Sequence, residues 1–147
     1  MAVKRVTPDE AARLIGEGWS YVDVRSEAEF EQGHPRGAYN IPFMHFTPGS
    51  GMTPNKDFLN VFNSAFGADD PVIVGCKSGA RSMRAAEALA AAGYTGVVDM
   101  RGGFGGEPDR AGGFVCEGWR ARGLPVSGAA EQGRSYKEIK ARFPSGG

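Results

Sequence analysis

The sequence has few of the residues that would place it in a specialised structural class. It contains only two cysteines, Cys76 and Cys116, which are too few for a disulfide scaffold or a four-thiolate zinc site. Its two histidines, His34 and His45, do not combine with them at zinc-binding spacing. The 17 basic residues balance the 17 acidic ones, so charge gives no reason to expect nucleic acid or an anionic membrane as a partner. We therefore expect no metal centre, no nucleic-acid partner and no membrane partner.

Long apolar runs are also missing. No stretch approaches the roughly 20 apolar residues that a membrane-spanning helix needs. Residues 1–5 have no apolar region behind their charges that would mark a secretory signal. Hydrophobic residues nevertheless make up 41% of the 147 residues, as in an ordinary globular domain. These features predict a single cytoplasmic domain with reduced thiols.

Helix starts are marked by capping boxes, in which a Ser or Thr and a Glu three residues later bond each other's backbone N–H groups. The pairs are Thr7 with Glu10, Ser26 with Glu29 and Ser135 with Glu138. The Thr-Pro pair at 53–54 predicts a further helix start, and we also predict a short helix over 115–122. The compact domain is predicted over 1–126. Residues 127–147 are predicted to form a polar tail whose helix either docks or frays.

Strand signals alternate with the helices. The uninterrupted apolar run 71–75 is typical of a strand that is buried on both faces. A helix over 82–92 and a strand over 96–100 are predicted to follow it. Shorter strands are predicted over 21–24 and 39–42. The strand–turn–helix–strand order predicts an α/β fold with a parallel sheet and right-handed crossovers.

Cys76 is the strongest candidate for chemistry, because it follows the most apolar strand at the edge where open α/β sheets bind their ligands. Gly79 and its small neighbours allow successive backbone N–H groups to turn toward one point, and a helix begins just beyond them. Lys77 and Arg81 place two cations near the sulfur. These features favour a thiolate, whereas the alternative is an inert cysteine buried at a strand end.

Three segments resemble the signatures of the rhodanese family. The first runs from Asp23-Val24-Arg25 to Asn40-Ile41-Pro42, the second is the loop Cys76-Lys77-Ser78-Gly79-Ala80-Arg81-Ser82, and the third joins Gly118-Trp119 to Gly123-Leu124-Pro125-Val126. The resemblance spans residues 3–126, with the signatures in the family's order and spacing. It implies a rhodanese-like α/β fold, with a parallel sheet of about five strands flanked by helices on both faces.

The resemblance also implies the chemistry. Cys76 would take sulfane sulfur from thiosulfate or a similar donor, hold it as a persulfide and pass it to a thiol, cyanide or protein acceptor. No metal or organic cofactor would be needed. The substrate-binding residues would be those of the active-site loop, namely Lys77, Ser78, Gly79, Ala80, Arg81 and Ser82. Four residues separate Cys76 from Arg81, whereas related phosphatases and arsenate reductases are expected to have five, so the loop length favours sulfur transfer.

Several roles stay open at this stage. Asp23 and Arg25 are expected to pair and to support the neighbouring loops. Arg81 either stabilises departing sulfite or ties the loop to a carboxylate of the first signature. Cys116 either is incidental or acts as a resolving thiol that converts the Cys76 persulfide into a disulfide. The protein is accordingly a thiosulfate sulfurtransferase or, alternatively, a non-catalytic persulfide carrier or partner-binding module.

Overall fold

The computed structural model describes residues 3–142 and is built around a five-stranded sheet. The strands are β1 (Arg5–Val6), β2 (Ser20–Asp23), β3 (His34–Pro35), β4 (Tyr39–Asn40), β5 (Met44–Thr47), β6 (Gly51–Pro54), β7 (Val72–Gly75), β8 (Val97–Met100), β9 (Glu107–Pro108), β10 (Phe114–Cys116) and β11 (Val126–Ser127). The helices are α1 (Pro8–Gly16), α2 (Glu27–Gln32), α3 (Phe58–Ala65), α4 (Ala80–Ala91) and α5 (Tyr136–Arg142). The large sheet has the order β1-β8-β7-β2-β4 and is parallel throughout, which confirms the predicted fold class.

The central strand β7 is buried on both faces, as its apolar run predicts. Val72 and Val74 belong to one core cluster, which also contains buried residues of α3, α4 and α5. Ile73, between them, belongs to a second cluster with Ala11 of α1 and Phe30 of α2. The helices therefore cover both faces of the sheet, and the carboxyl ends of its parallel strands are left to form a site.

Both edges of the large sheet are short. β1 and β4 have two residues each, whereas the three interior strands have four. In the edge strand β4, the Asn40 N–H donates to the carbonyl oxygen of Arg134 at 2.9 Å. The C-terminal segment therefore covers one edge of the sheet.

The predicted helix start at 53–54 is wrong, because these residues lie in β6. This strand pairs antiparallel with β5, and Phe46 stands opposite Met52. A bond from the Ser50 N–H to the Thr47 carbonyl oxygen, 2.9 Å long, closes the turn between the two strands. The hairpin uses the residues that the Thr-Pro signal assigned to a helix, and α3 begins only at Phe58.

The predicted helix over 115–122 is also wrong, since its first residues lie in β10, which pairs antiparallel with β9. The connecting turn has its own local bonds, in which Asp109 Oδ1 accepts from the N–H groups of Ala111 and Gly113 at 2.8 and 2.9 Å. An Asp side chain that bonds nearby backbone in this way favours a turn over a helix.

The capping boxes of α1 and α2 are both complete. Before α5, the Ser135 hydroxyl accepts from the Glu138 N–H at 3.2 Å. Tyr136 and Ile139 of α5 are buried in the same core cluster as α3, so this helix docks rather than frays. The domain boundary at residue 126 stays a prediction, and the predicted tail beyond residue 142 lies outside the described residues.

Candidate active site

Cys76 directly follows β7, at the C-terminal edge of the large sheet. The neighbouring strands of β7 are β2 and β8, and each carries an aspartate near its carboxyl end, Asp23 and Asp99. α4 begins at Ala80, so Cys76 opens a short strand-to-helix loop. Parallel α/β sheets bind their ligands at this edge.

The loop wraps around the sulfur of Cys76. Its Sγ accepts hydrogen bonds from the Gly79 N–H at 3.1 Å and from the Ser82 N–H at 3.3 Å. Gly79 has a φ of 110°, a left-handed conformation that favours glycine and that aims its N–H at the sulfur. The Cys76 side chain is only 1% exposed. Two N–H donors at the start of a helix stabilise negative charge on a sulfur held in this position.

A buried carboxylate supports this cradle from the neighbouring strand. Asp99 Oδ1 accepts a 2.5 Å hydrogen bond from Ser82 Oγ, and Asp99 Oδ2 accepts one of 2.8 Å from Arg5 Nε. Burial raises the pKa of Asp99 above its ordinary value, although the bonds from Ser82 and Arg5 oppose the rise. These contacts fix Ser82, the residue whose N–H bonds the Cys76 sulfur.

Arg81 forms a two-point ion pair with Glu29 of α2. Its Nη1 and Nη2 donate to the two carboxylate oxygens of Glu29 at 2.7 and 2.9 Å. Burial opposes ionisation of Glu29, but the bonds and charge of Arg81, together with the bonds from Ser26, outweigh it and lower the Glu29 pKa to about 2. The structure thus contains the contact with a carboxylate of the first signature, and the role of Arg81 toward sulfite stays a prediction.

Asp23 and Arg25 form a second, more deeply buried pair, with Nη2 2.7 Å from Oδ2. The same Nη2 donates to the Gly33 carbonyl oxygen at 2.6 Å, and the guanidinium carbon lies 4.6 Å from the ring centroid of Phe104. Burial disfavours the charge, but the bonds to Asp23 more than compensate and raise the Arg25 pKa. The pair connects β2, the end of α2 and the glycine-rich segment.

The glycine-rich segment 102–106 lies directly against the active-site loop. The N–H groups of Phe104 and Gly105 donate to the carbonyl oxygens of Cys76 and Lys77, both at 2.7 Å. Gly103 lies so close to the Cys76 carbonyl that an added Cβ would collide with it. Glycine is therefore required here for close backbone approach, and the segment fixes the peptide planes of the loop.

Cavities lie on both sides of the loop. One, of about 440 Å³, is lined by Ser78, Gly79 and Ala80. The other, of about 430 Å³, is lined by Lys77 and Arg81. The loop residues predicted to bind substrate therefore divide between two sides.

Cys116 lies outside the loop, in β10, and is partly exposed and free. Its Sγ is 3.6 Å from the Glu117 carbonyl oxygen and would lie 3.0 Å from a Cβ added at Gly102. It thus borders the segment that supports the Cys76 loop. Its role as a resolving thiol stays a prediction.

Sequence patterns do not identify three groups of this site. Asp99 carries a usable signal, because it is a lone acid near the end of the strand that follows the Cys76 loop and its helix. Glu29 is recognised only as a helix cap, since nothing local indicates that it reaches Arg81. Phe104 has no signal, because its contact with the Arg25 guanidinium depends on the path of a glycine-rich loop.

Comparison with known proteins agrees with this geometry. The family model described as the rhodanese-like domain matches residues 7–106. The chain belongs to the rhodanese-like family. The match includes Cys76, its loop and the supporting segment 102–106, and it ends before Cys116.

Individual relatives extend the comparison. Thiosulfate sulfurtransferase 16, chloroplastic, of Arabidopsis thaliana is 50% identical over 91 residues, which cover 62% of this chain and 75% of that protein. Thiosulfate sulfurtransferase GlpE of Haemophilus influenzae is 35% identical over 104 residues, covering 71% and 87%. The crystal structure of Rv0390 from M. tuberculosis superposes with a TM-score of 0.73 at 32% identity, covering 88% and 100%. Across six plant relatives, the matched segment covers 51% to 76% of the relative's length.

Proposed function

We propose that this rhodanese-like protein is a sulfurtransferase that moves sulfane sulfur from thiosulfate, or a similar donor, to a thiophilic acceptor through a Cys76 persulfide. The observation that carries the proposal is the pair of backbone N–H donors, from Gly79 and Ser82, that converge on the Cys76 sulfur. The Arabidopsis and Haemophilus relatives, both named thiosulfate sulfurtransferases, support the same activity.

In the loading step, the Cys76 thiolate attacks the outer sulfur of thiosulfate. A new S–S bond forms at Sγ, the S–S bond of thiosulfate breaks, and its electron pair leaves on sulfite. The loop N–H groups stabilise the anion before and after transfer. Lys77 supplies positive charge for the departing sulfite, whereas the charge of Arg81 is paired with Glu29.

The reaction requires no metal or organic cofactor, because the loading and transfer steps are both displacements at sulfur. Among residues 3–142, no group of three or more His, Cys, Asp and Glu side chains is placed to hold a metal ion. A thiol, cyanide or a protein thiol is the proposed acceptor.

The predicted cytoplasmic location stays a prediction, since the Arabidopsis relative is named as chloroplastic. In the part of the chain that the structure describes, every helix is too short or too polar to cross a membrane.

The test is the intact mass of reduced protein after brief incubation with thiosulfate, with Cys76→Ser as the control. We expect the wild type to gain the mass of one sulfur atom and the variant to gain nothing. A gain that persists in Cys76→Ser, or no gain with any sulfane-sulfur donor, contradicts the proposal. Turnover with cyanide then separates an enzyme from a stoichiometric carrier, which stalls after one sulfur.

A further inference from the structure

The β5–β6 hairpin exposes two large apolar side chains beside the active-site loop. Phe46 is 60% exposed and Met52 is 38% exposed. The two are direct cross-strand partners, so their side chains lie on the same face of the hairpin. Exposed apolar side chains contribute little to a folded core, and where they adjoin one another at a cavity they indicate a binding surface.

Phe46 and Met52 form one wall of the 430 Å³ cavity described above, and Lys77, Arg81 and Glu29 are also part of its lining. A volume of about 430 Å³ falls in the range of about 300–1,000 Å³ that holds organic ligands. A thiosulfate or cyanide ion occupies only a small part of it. The cavity therefore has room for a larger second substrate next to the loop that carries Cys76.

The charged groups of the cavity leave one cation uncompensated. Glu29 neutralises Arg81 through its two-point ion pair. Within residues 3–142, no carboxylate lies within ion-pairing distance of Lys77. Lys77 is exposed and directly follows Cys76. An anionic group is therefore the complementary partner for this side of the cavity.

We infer that this cavity is the acceptor subsite and that it binds a low-molecular-weight organic thiol that has both an apolar group and a carboxylate. The apolar group packs against Phe46 and Met52, and the carboxylate faces Lys77. This inference rests on the proposed function, because it assigns a substrate class to the second half of the same reaction.

The transfer step balances without an external oxidant or reductant. The acceptor thiolate attacks the outer sulfur of the Cys76 persulfide and forms a new S–S bond. The bond between that sulfur and Sγ breaks, and its electron pair returns to Cys76 as the thiolate. The outer sulfur, left anionic by the loading step, takes the proton that the acceptor thiol gives up, so the products are the free enzyme thiolate and the acceptor's persulfide.

Four alkyl thiols test the apolar group and the carboxylate of the ligand separately, because they carry both groups, only one of them, or neither. They are 4-(sulfanylmethyl)benzoate, phenylmethanethiol, 3-sulfanylpropanoate and 2-sulfanylethanol. Each is mixed with protein whose Cys76 has first been loaded to completion, and the loss of the extra sulfur is followed by intact mass. We expect 4-(sulfanylmethyl)benzoate to react at least about tenfold faster than 2-sulfanylethanol, with the other two between them.

Substitutions in the hairpin test whether Phe46 and Met52 cause the preference for aromatic thiols. We expect Phe46→Ala and Met52→Ala to slow the two aromatic thiols about fivefold and the two aliphatic thiols less than about twofold. Leu59→Ala is the matched control, because Leu59 is 38% exposed like Met52 but lies on α3 and lines neither cavity beside the loop. Lys77→Met should slow the two carboxylates about fivefold more than it slows the two neutral thiols.

Equal rates for the four thiols, or equal losses in Met52→Ala and Leu59→Ala, overturn the inference. Binding of the unreactive alcohol 4-(hydroxymethyl)benzoate to the Cys76→Ser protein, followed by NMR at the Phe46 and Met52 amides, tests the subsite without any sulfur transfer. If wild-type protein never loads sulfur but the alcohol shifts these amides, the proposed function fails and the subsite stands. If sulfur loads but neither binding nor discrimination is seen, only the subsite fails.

Discussion

The two cysteines show how position determines what a thiol can do. Cys76 is almost fully buried and accepts two backbone hydrogen bonds at the start of α4. Cys116 is partly exposed on a short hairpin strand, and its Sγ donates to the adjacent Glu117 carbonyl oxygen at 3.6 Å. A donor-lined pocket stabilises a sulfur anion, whereas a carbonyl neighbour does not. Substitutions around Cys76 should remove this difference step by step, and the change at Gly79 should have the largest effect.

Gly79→Ala should disturb the Cys76 environment most. The φ of 110° is unfavourable for alanine, and the new Cβ would lie 3.0 Å from Arg5 Nη2. A backbone that shifts to relieve this strain no longer aims the N–H of residue 79 at the Cys76 sulfur. Losing one N–H donor to an anion corresponds to about 1.5–3 kcal/mol, so we expect sulfur loading from thiosulfate to slow at least about tenfold. Rapid-quench intact mass measures the rate.

Gly93→Ala is the control for this change, because Gly93 also has a positive φ of 102° but, among residues 3–142 other than its chain neighbours, no atom lies within 4 Å of an added Cβ. Both variants should lose about 1 kcal/mol of unfolding free energy from backbone strain. Only Gly79→Ala should lose loading, and equal loading rates in the two variants would contradict the role given to the loop.

Asp99→Asn should have the next largest effect, because it weakens the support of Ser82 and leaves Arg5 without its ion-pair partner. We expect loading to slow about fivefold and the protein to lose about 2 kcal/mol of unfolding free energy, measured by urea titration. Asp57→Asn is the matched control, since Asp57 forms an exposed pair with Lys140. If the two variants load sulfur equally fast, Asp99 does not position the cradle.

Glu29→Gln should slow loading about threefold and give a distinctive pH dependence. The pKa of Glu29 is about 2 in the folded protein against an ordinary 4.5, so ionised Glu29 stabilises the fold fully above the unfolded value. This stabilisation is lost as pH falls from about 5 toward 2. Wild type should therefore exceed the variant by about 2 kcal/mol at pH 6–8, and the gap should close in acid.

Urea titrations across this pH range measure the gap. Glu17→Gln, which removes an exposed pair with Arg13, should differ from wild type by less than about 0.5 kcal/mol at every pH. A gap for Glu29→Gln that stays constant down to pH 2 would show that the carboxylate is not held ionised by Arg81.

Cys116→Ser should have the smallest effect on loading, within about twofold of wild type, because Cys116 contributes no donor to the Cys76 sulfur. Peptide mapping of oxidised protein separately tests the resolving-thiol prediction. A Cys76–Cys116 crosslink supports it, and its absence after complete persulfide loading rejects it. A tenfold lower loading rate in Cys116→Ser would instead show that Cys116 takes part in the loading step.

The elements that the sequence predicts correctly are those with strong local signals. The apolar run of β7, the complete capping boxes of α1 and α2 and the glycine in the loop after Cys76 all act over a few residues. The wrong helix start at 53–54 and the wrong helix over 115–122 lie where hairpin pairing overrides a local signal. Pairing between strands depends on residues outside each signal, so a pattern such as Thr-Pro cannot reveal that its residues lie in a hairpin.

In the site, too, the contacts between residues close in sequence are the predictable ones. Cys76 and its loop are contiguous in sequence, so their geometry follows from one strand-to-helix turn. Glu29 lies 52 residues before Arg81, and Asp99 lies 17 residues after Ser82, so these contacts exist only once the sheet has brought β2, β7 and β8 together. The sequence leaves Arg81 open between a role toward sulfite and a carboxylate partner, and only the tertiary structure brings Glu29 to it.

The short edges of the large sheet have a consequence for self-association. An unpaired strand edge is a template on which a second molecule can add a strand, and long apolar edges promote aggregation. Here the most apolar strand is innermost, and the outer strands offer only two residues each. The Asn40 N–H on one edge is already bonded to the Arg134 carbonyl oxygen. Because it covers this edge, the C-terminal segment hinders intermolecular sheet growth at β4.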